Sequence, residues 1–409
     1  MLYDAYEVQR SFLAGASRLA GLSAGWLSNP ANPLSYSSMS PLVSAALDVF
    51  AHAAAPRGKP DFGLTETMIG RRTVAVREEI VLRKPFGQLK HFVRDGVGDG
   101  DPKLLIVAPM SGHYATLLRG TVERLLPRHD IYITDWRDAK KVSLSDGSFD
   151  LDDYIDYLVE FLELIGRDGR RPHMLAVCQP SVPAFAATAL MVADKHPARP
   201  LTLSMMGGPI DSRKAPTAVN TLATQRPHSW FQQNVIATVP YSYPGAGRKV
   251  YPGFLQLAGF MAMNLGSHLT SHWEMFKHLV QGDGESADAT KDFYDEYRAV
   301  CDMTAEFYLQ TVDVVFQRHL LPKGEMTHRG RRVDPAAIRD VALLAIEGER
   351  DDISGIGQTR AALEISTKLP RERKQYHLAK GVGHYGIFNG SRWRERIAPV
   401  VEEWIAAHA

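Results

Sequence analysis

The feature that most constrains the fold is a series of short apolar runs, each of which ends in a turn. Six of them are KLLIVAPMSG, DIYITDWRD, HMLAVCQP, PLTLSMMGG, VALLAIEGERDD and KQYHLAKGVGH. Helix-like stretches such as LDDYIDYLVEFLELIG, VPAFAATALMVADKH and WRERIAPVVEEWIAAHA follow most of these runs. Strands that alternate with helices build a mostly parallel sheet with helices on both faces. The sequence therefore predicts an α/β fold.

The periodicity also predicts how the chain is divided. Residues 3–27 carry apolar residues at intervals of three and four, which indicates an amphipathic helix, and residues 43–54 look like a second one. From Thr73 the pattern changes to two or three strands joined near residues 84–87. We therefore expect a helical segment at 1–72, a core built from 73–207 and 340–409, and a helical cap inserted at 208–339. Such an insertion would cover the carboxyl ends of the strands, where α/β sheets place their sites.

Composition excludes several classes of protein. A net charge of +1 over 409 residues gives no field that attracts nucleic acid. Two cysteines are too few for a disulfide framework and fit a reducing compartment. The start MLYDAYEVQR lacks the basic region of a secretory signal, and no apolar run is long enough to span a membrane. We expect a soluble, cytoplasmic protein.

Three chemically competent residues each follow a predicted strand. They are Cys178, Asp351 and His384, in the order nucleophile, acid, histidine of the α/β-hydrolase fold. The spacing leaves room for a helix and a strand between Asp351 and His384, and for the insertion before Asp351. A thiolate attacks an acyl carbon, a histidine moves the proton, and a carboxylate orients the imidazole. The pattern therefore predicts a Cys-His-Asp triad.

The turn around Cys178 departs from the usual Gly-x-Ser-x-Gly elbow, since Ala176 and Pro180 stand at the glycine positions. Ala176 is still small, and the fixed φ of Pro180 suits the first turn of a helix. The backbone N–H of Gln179 is the expected first donor to an oxyanion. The second donor should come from the loop after the first strand of the series, as the N–H of Ser111 or of Met110.

Other signals compete with the predicted triad. A literal Gly-x-Ser-x-Gly match at Ser23 lies in a predicted helix with no strand before it, so we do not expect a nucleophile there. His268 and His272, with Glu274 and His278 nearby, have the spacing of metal ligands, but a glutamate does not follow the first histidine, and we expect no metal. Cys301 sits within the predicted helical insertion and has no acid–histidine partners of its own in order, so we expect it to be structural.

Several segments together resemble one family, the intracellular polyhydroxyalkanoate (polyhydroxybutyrate) depolymerases. They are APMSGHYATLLRGTVE, ITDWRDA, AVCQPSVP, MMGGPID, EGERDDISGIGQT and GVGHYGIFNG, and the resemblance covers nearly the whole chain. It implies an α/β-hydrolase fold with a helical cap, and cleavage of polyester stored in cytoplasmic granules. Cys178, Asp351 and His384 match the family's nucleophile, acid and base. The related synthases usually have a Gly-x-Cys-x-Gly elbow, so Ala176 and Pro180 favour the depolymerase branch.

Three functions stay open at this point. The favoured one is an esterase acting on poly(3-hydroxybutyrate) or its oligomers through a thioester. Water or coenzyme A would accept the acyl group, and no other cofactor is expected. The second is a polyhydroxyalkanoate synthase. The third is a non-catalytic protein that binds the granule surface through its first helix, although the favoured expectation for this helix is that it packs on the protein's own core or forms a homodimer contact.

Overall fold

The computed structural model describes residues 2–37, 39–98, 100–263 and 295–409. The chain begins with two helices, α1 (Leu2–Ser28) and α2 (Ser40–Ala54), which pack against each other and are called the N-terminal hairpin below. Ser23 lies within α1 and is exposed, so the helical context predicted for it is confirmed.

Within the described ranges, nine strands form the central sheet. They are β1 (Glu66–Ile69), β2 (Arg72–Arg83), β3 (Gly87–Arg94), β4 (Lys103–Val107), β5 (Asp130–Trp136), β6 (His173–Val177), β7 (Thr202–Met206), β13 (Ala342–Gly348) and β14 (Lys374–Ala379). Their order across the sheet is β1-β2-β3-β5-β4-β6-β7-β13-β14. The pairings from β5 to β14 are parallel, and those from β1 to β5 are antiparallel. This is the strand order of the α/β-hydrolase fold, and the predicted fold class is confirmed.

Helices cover both faces of the sheet, as the alternating pattern predicts. The crossover helices are α3 (Arg119–Leu125), α4 (Leu151–Ile165), α5 (Ser181–Ala193) and α11 (Ala361–Ile365), and the chain closes with α12 (Gly390–Arg392) and α13 (Ala398–Ala406). One hydrophobic core lies between the sheet and α4, α5 and α11, and a second lies between the sheet and α3 and α13. Strands β4, β6, β7 and β13 are buried along their whole length, which explains why they look like continuous apolar runs.

The insertion between β7 and β13 is not purely helical, which corrects the expectation for 208–339. It contains α6 (Ala218–Gln225), α7 (His228–Asn234), α8 (Gly253–Met263), α9 (Ala305–Thr311) and α10 (Leu320–Lys323). Its described residues also form five strands of two or three residues: β8 (Ala237–Thr238), β9 (Lys249–Tyr251), β10 (Met303–Thr304), β11 (Thr327–His328) and β12 (Arg331–Arg332). Strands this short show no alternation that a sequence could reveal.

The boundary predicted at residue 73 is also corrected, because the sheet already begins at Glu66. Strand β1 pairs antiparallel with β2 across the turn at Gly70, which adopts a positive φ of 62°. Its exposure alternates between exposed and half-buried residues, so it has no strong apolar pattern. Among the residues that the structure describes, no helix is long and apolar enough to cross a membrane.

Candidate active site

Cys178 occupies a strained turn between a buried strand and a helix. Strand β6 runs directly into Cys178, which has a φ of +67°, and α5 begins three residues later. A non-glycine residue in this region costs of order 1–3 kcal/mol and persists only where the surroundings enforce it. Here the Cys178 N–H donates to the carbonyl of Met206 at 2.7 Å, and the Cys178 carbonyl accepts from the Ser181 N–H at 3.0 Å. The turn leaves the side chain half-buried at the carboxyl edge of the sheet.

Pro180 sits where the sequence placed it, at the start of the helix that follows Cys178. Its φ of −56° and ψ of −16° are helical, and its carbonyl accepts from the Ala184 N–H at 2.9 Å. A proline loses nothing at this position because the first helical N–H groups have no partner within the helix.

Asp351 and His384 meet at the ends of β13 and β14. The Nδ1 atom of His384 lies 2.7 Å from Oδ2 of Asp351, and both side chains are buried. The other carboxylate oxygen of Asp351 accepts from the backbone N–H groups of Ile353 and Ser354 at 2.9 and 2.8 Å. The carboxylate is therefore held on both oxygens, which fixes the orientation of the imidazole.

The electrostatics of His384 connect it to Cys178. Burial by itself lowers the pKa of His384. The negative charges of Cys178 and Asp351, and hydrogen bonding to both, outweigh burial and raise that pKa well above 6.5. The structure thus brings the three predicted residues together around one imidazole, which carries a proton most readily when Cys178 is a thiolate.

Two glycines at the end of β7 make this arrangement sterically feasible, and sequence reasoning gave them no role. Gly207 has a φ of +60°, and a Cβ atom there would lie 3.1 Å from Cε1 of His384 and 3.2 Å from Oδ2 of Asp351. At Gly208 a Cβ atom would lie 2.1 Å from Oγ of Ser181 and 3.0 Å from the carbonyl of Cys178. Pro180 is not small, so the space that the elbow needs is provided instead by Gly208, at the end of the neighbouring strand β7. The pair Gly-Gly directly after an apolar run was the available signal.

A buried carboxylate supports the loop after Asp351, and it too was missed. Glu347 on β13 is fully buried and accepts from the N–H groups of Gly357, Thr359 and Arg360 at 2.7 to 2.9 Å, and from the Tyr376 hydroxyl at 2.8 Å. Thr359 in turn accepts from the Gly208 N–H at 2.8 Å. A glutamate within an apolar strand was the signal, since buried charges occur where they are fully hydrogen-bonded.

The three predicted oxyanion donors lie at adjacent strand ends. Strand β4 pairs in parallel with β6, with Val107 opposite Ala176, so the loop containing Met110 and Ser111 lies beside the turn containing Gln179. Within the described part of the chain, none of these three backbone N–H groups has an intramolecular acceptor. Free N–H groups beside a nucleophile are what stabilisation of an oxyanion needs.

The insertion between β7 and β13 contacts the loop that contains Met110 and Ser111. Gly112 has a φ of +94°, its carbonyl accepts from the Cys301 N–H at 2.6 Å, and the amide of Gln256 on α8 packs against its Cα. Nε2 of His113 donates to the carbonyl of Tyr297 at 3.0 Å. Cys301 is buried, and its Sγ lies 3.8 Å from the carbonyl of His113. Residues 295–304, called the return segment below, thus line the loop that carries two of the candidate donors.

Among the described residues there is no cluster of three or more His, Cys, Asp or Glu side chains that could hold a metal ion. His268, His272, Glu274 and His278 lie outside the described residues.

Residues 207–409 match the family described as PHB de-polymerase C-terminus. The match covers just under half of the chain, and over this range the chain is similar to that family. The matched range begins at Gly207 and contains Asp351 and His384, whereas Cys178 lies before it.

One curated relative of this α/β-hydrolase is the poly(3-hydroxyalkanoate) polymerase subunit PhaC of Haloarcula marismortui. The two are 22% identical over 312 residues, which cover 74% of this chain and 60% of that protein. The match thus spans less than two thirds of the relative's length.

Solved structures that are similar to this chain include a putative lipase and a hydrolase. A putative lipase of Acinetobacter baumannii AYE is 13% identical with a TM-score of 0.43, over 81% of this chain and 93% of that chain. The 2-hydroxy-6-oxo-6-phenylhexa-2,4-dienoate hydrolase of Rhodococcus sp. strain RHA1 is 12% identical with a TM-score of 0.46, over 82% of this chain and all of that chain (100%). The fold of the present chain is assigned on its own strand order.

Proposed function

We propose that this protein cleaves the ester bonds of poly(3-hydroxybutyrate) or its oligomers, with Cys178 as nucleophile. The observation that carries the proposal is the placement of Cys178 on a strained elbow, in electrostatic contact with the His384–Asp351 pair. The family match at residues 207–409 supports the substrate class.

The reaction follows from the roles that these groups can take. His384 accepts the thiol proton, and the thiolate attacks the ester carbonyl. The N–H of Gln179 and that of Met110 or Ser111 stabilise the oxyanion, at typically about 2.7–4 kcal/mol for each donor. The tetrahedral intermediate collapses to a thioester on Cys178, and His384 protonates the departing alkoxide, which leaves as a hydroxyl chain end. A second acceptor then attacks the thioester and restores the thiol.

Water and coenzyme A both qualify as this second acceptor. Transfer from a thioester to another thiol exchanges one thioester for another and is nearly energy-neutral, and transfer to water is strongly favourable. Both acceptors are therefore accessible, and the products distinguish them. Water yields a free carboxylate, and coenzyme A yields an acyl-CoA and leaves no free acid. We propose that the enzyme works on cytoplasmic storage granules.

The test is a Cys178→Ala variant assayed for release of 3-hydroxybutyrate or its oligomers from amorphous polymer. We expect activity to fall at least about a thousand-fold, because removal of a nucleophile disables the whole triad. Cys301→Ala is the matched control, since it removes the other cysteine and should keep most activity. Mass spectrometry of the wild-type protein after brief exposure to polymer should show acylation at Cys178. Near-normal turnover in Cys178→Ala would overturn the mechanism.

A second candidate is supported by the PhaC relative, which is described as a polymerase subunit. In a polymerase, the hydroxyl group of a growing chain would attack the same thioester, form a new ester bond and release the thiol of Cys178. Incubation of the purified protein with 3-hydroxybutyryl-CoA separates the two functions. Growth of polymer favours the polymerase, and release of acids or short oligomers favours the depolymerase.

A further inference from the structure

Helix α1 turns its large apolar side chains away from the rest of the protein. Val8, Phe12, Leu19, Leu22 and Trp26, called the α1 stripe below, are between 56 and 75% exposed. At 3.6 residues per turn these five positions fall within about a quarter of the helix circumference. With a rise of 1.5 Å per residue the stripe is about 27 Å long.

The opposite face of α1, which packs on α2, is made of small residues. Ala20 and Ala24 are buried there, Gly21 lies against Ala51, and Oγ of Ser17 donates to the Ala51 carbonyl at 2.7 Å. An amphipathic helix of a globular protein normally does the reverse and buries its large apolar side chains. Single exposed apolar residues need no explanation, but a continuous stripe marks an interaction surface.

The rest of the N-terminal hairpin extends the apolar character of this region. Further large hydrophobic residues are exposed in α2 and in the connection that precedes it: Leu34, Tyr36, Met39, Leu42, Val43 and Phe50. A surface of this composition is costly to leave in water, since burial of apolar area is worth roughly 25 cal/mol per Å².

The charge of the hairpin indicates what it can bind. Residues 2–56 contain no lysine, and their two arginines are Arg10 and Arg18. Arg10 is paired with Glu7 and with the hydroxyl of Tyr243. Helices that lie on anionic membranes are rich in lysine and arginine on their polar face. The α1 stripe lacks that feature and fits an uncharged apolar surface instead.

The hairpin is firmly joined to the part of the protein that contains the candidate site. The Tyr3 hydroxyl donates to Asp302 at 2.5 Å, the ring of Tyr6 stacks on Phe254 with centroids 3.9 Å apart, and Nε2 of His52 lies 3.0 Å from Oδ1 of Asp295. Asp295 and Asp302 belong to the return segment, which contacts the loop of Met110 and Ser111. When the α1 stripe binds a surface, these contacts therefore keep the part of the protein that contains the candidate site next to that surface.

We propose that the α1 stripe is a docking surface for the uncharged surface of a solid, water-insoluble polyester. The inference rests on the proposed function, because it names how that enzyme reaches its substrate. Ester and methyl groups of such a polymer carry no net charge, and the five residues of the α1 stripe carry none either.

The test compares the full chain with a Leu19→Gln/Leu22→Gln variant. Binding is measured by co-sedimentation with surfactant-free amorphous poly(3-hydroxybutyrate) particles, and turnover is measured on soluble p-nitrophenyl butyrate. Leu144→Gln/Leu222→Gln is the matched control, because these leucines are 55 and 48% exposed and lie outside the hairpin. Parallel arms measure binding to phosphatidylglycerol–phosphatidylcholine vesicles and the oligomeric state by light scattering.

We expect the stripe variant to bind polymer at least ten-fold more weakly than the control, with soluble-ester turnover unchanged, because each buried leucine is worth a factor of about ten. Polymer binding equal to that of the control would overturn the proposal, whether the substitutions altered vesicle binding, oligomeric state or nothing. Should the double variant lose soluble turnover, Trp26→Gln at the far end of the stripe gives the deciding measurement. A wild type that binds polymer but cleaves no ester would overturn the proposed function and leave the docking surface standing.

Discussion

At the scale of single residues, the imidazole of His384 is where the charges of the site converge. Its pKa is raised well above 6.5 because Cys178 and Asp351 both place negative charge beside it and outweigh the effect of burial. A histidine with a raised pKa in the folded state stabilises the fold fully below its ordinary pKa of about 6.5. That contribution is lost as the pH rises through the raised value.

Asp351→Asn tests this balance of charges. The substitution removes one negative charge and the acceptor 2.7 Å from Nδ1, so the pKa of His384 should fall. We expect NMR titration of labelled histidine to show a lower pKa for His384 in the variant than in the wild type. Soluble-ester kcat/KM should drop by roughly 10³–10⁴, since the imidazole loses its orientation. Identical titration of His384 in both proteins would contradict this account.

At the scale of elements, the strand β7 and the helix α5 approach each other without room for a side chain. A methyl group at Gly208 would lie 2.2 Å from Cβ of Ser181, the first residue of α5. We expect Gly208→Ala to displace the start of α5, to destabilise the protein by about 1–3 kcal/mol and to reduce ester turnover. Thermal unfolding and turnover of a soluble ester measure the two effects.

Two further variants separate this clash from a general effect of alanine. Ser181→Gly in the same chain removes the two nearest atoms, Oγ and Cβ of Ser181, and should restore turnover to Gly208→Ala. Gly259→Ala on α8 has nothing within 4 Å of the added methyl group and should be silent. Failure of Ser181→Gly to restore any activity would show that Gly208 acts in some other way.

At the scale of the whole molecule, Asp302 joins three parts of the chain. Its carboxylate accepts from Tyr3 of α1 at 2.5 Å and from the N–H of Gly253 at 2.9 Å, and it lies 4.0 Å from Lys140. Burial, aided by the neighbouring charge of Asp138 and opposed by Lys140 and by these hydrogen bonds, raises the pKa of Asp302 to about 6. The ionised form is therefore less favourable in the folded protein than in the unfolded chain.

The sign of the pH dependence follows from this shift. A carboxyl group with a raised pKa stabilises the fold below its ordinary value of about 3.9, and that contribution is lost as the pH rises through about 6. Asp302→Asn removes the titration, so the wild type should lose stability relative to this variant between pH 4.5 and 7.5, by about 3 kcal/mol at most. Urea unfolding at both pH values measures the difference, and a gap that is independent of pH would refute the shift.

The sequence predicted the fold class and the order of the site residues because both depend on local pattern. Apolar runs that end at Cys178, Asp351 and His384 show which residues lie at strand ends. The carboxyl ends of parallel strands meet at one edge, so these residues were expected to be close. The short strands of the insertion, the start of the sheet at Glu66 and the roles of Gly208 and Glu347 escaped prediction. Each depends on contacts between residues far apart in the chain.

The sequence by itself determined that α1 is amphipathic, that the chain forms an α/β sheet, and that Cys178 directly follows a buried strand. Only the tertiary structure decided that α1 packs on α2 by small residues and exposes the α1 stripe, because periodicity gives the faces of a helix but not which face finds a partner. It also decided that Gly208 supplies the space that Pro180 does not, and that His384 and Asp351 lie within hydrogen-bonding distance. Those outcomes depend on close packing in three dimensions, which no local pattern records.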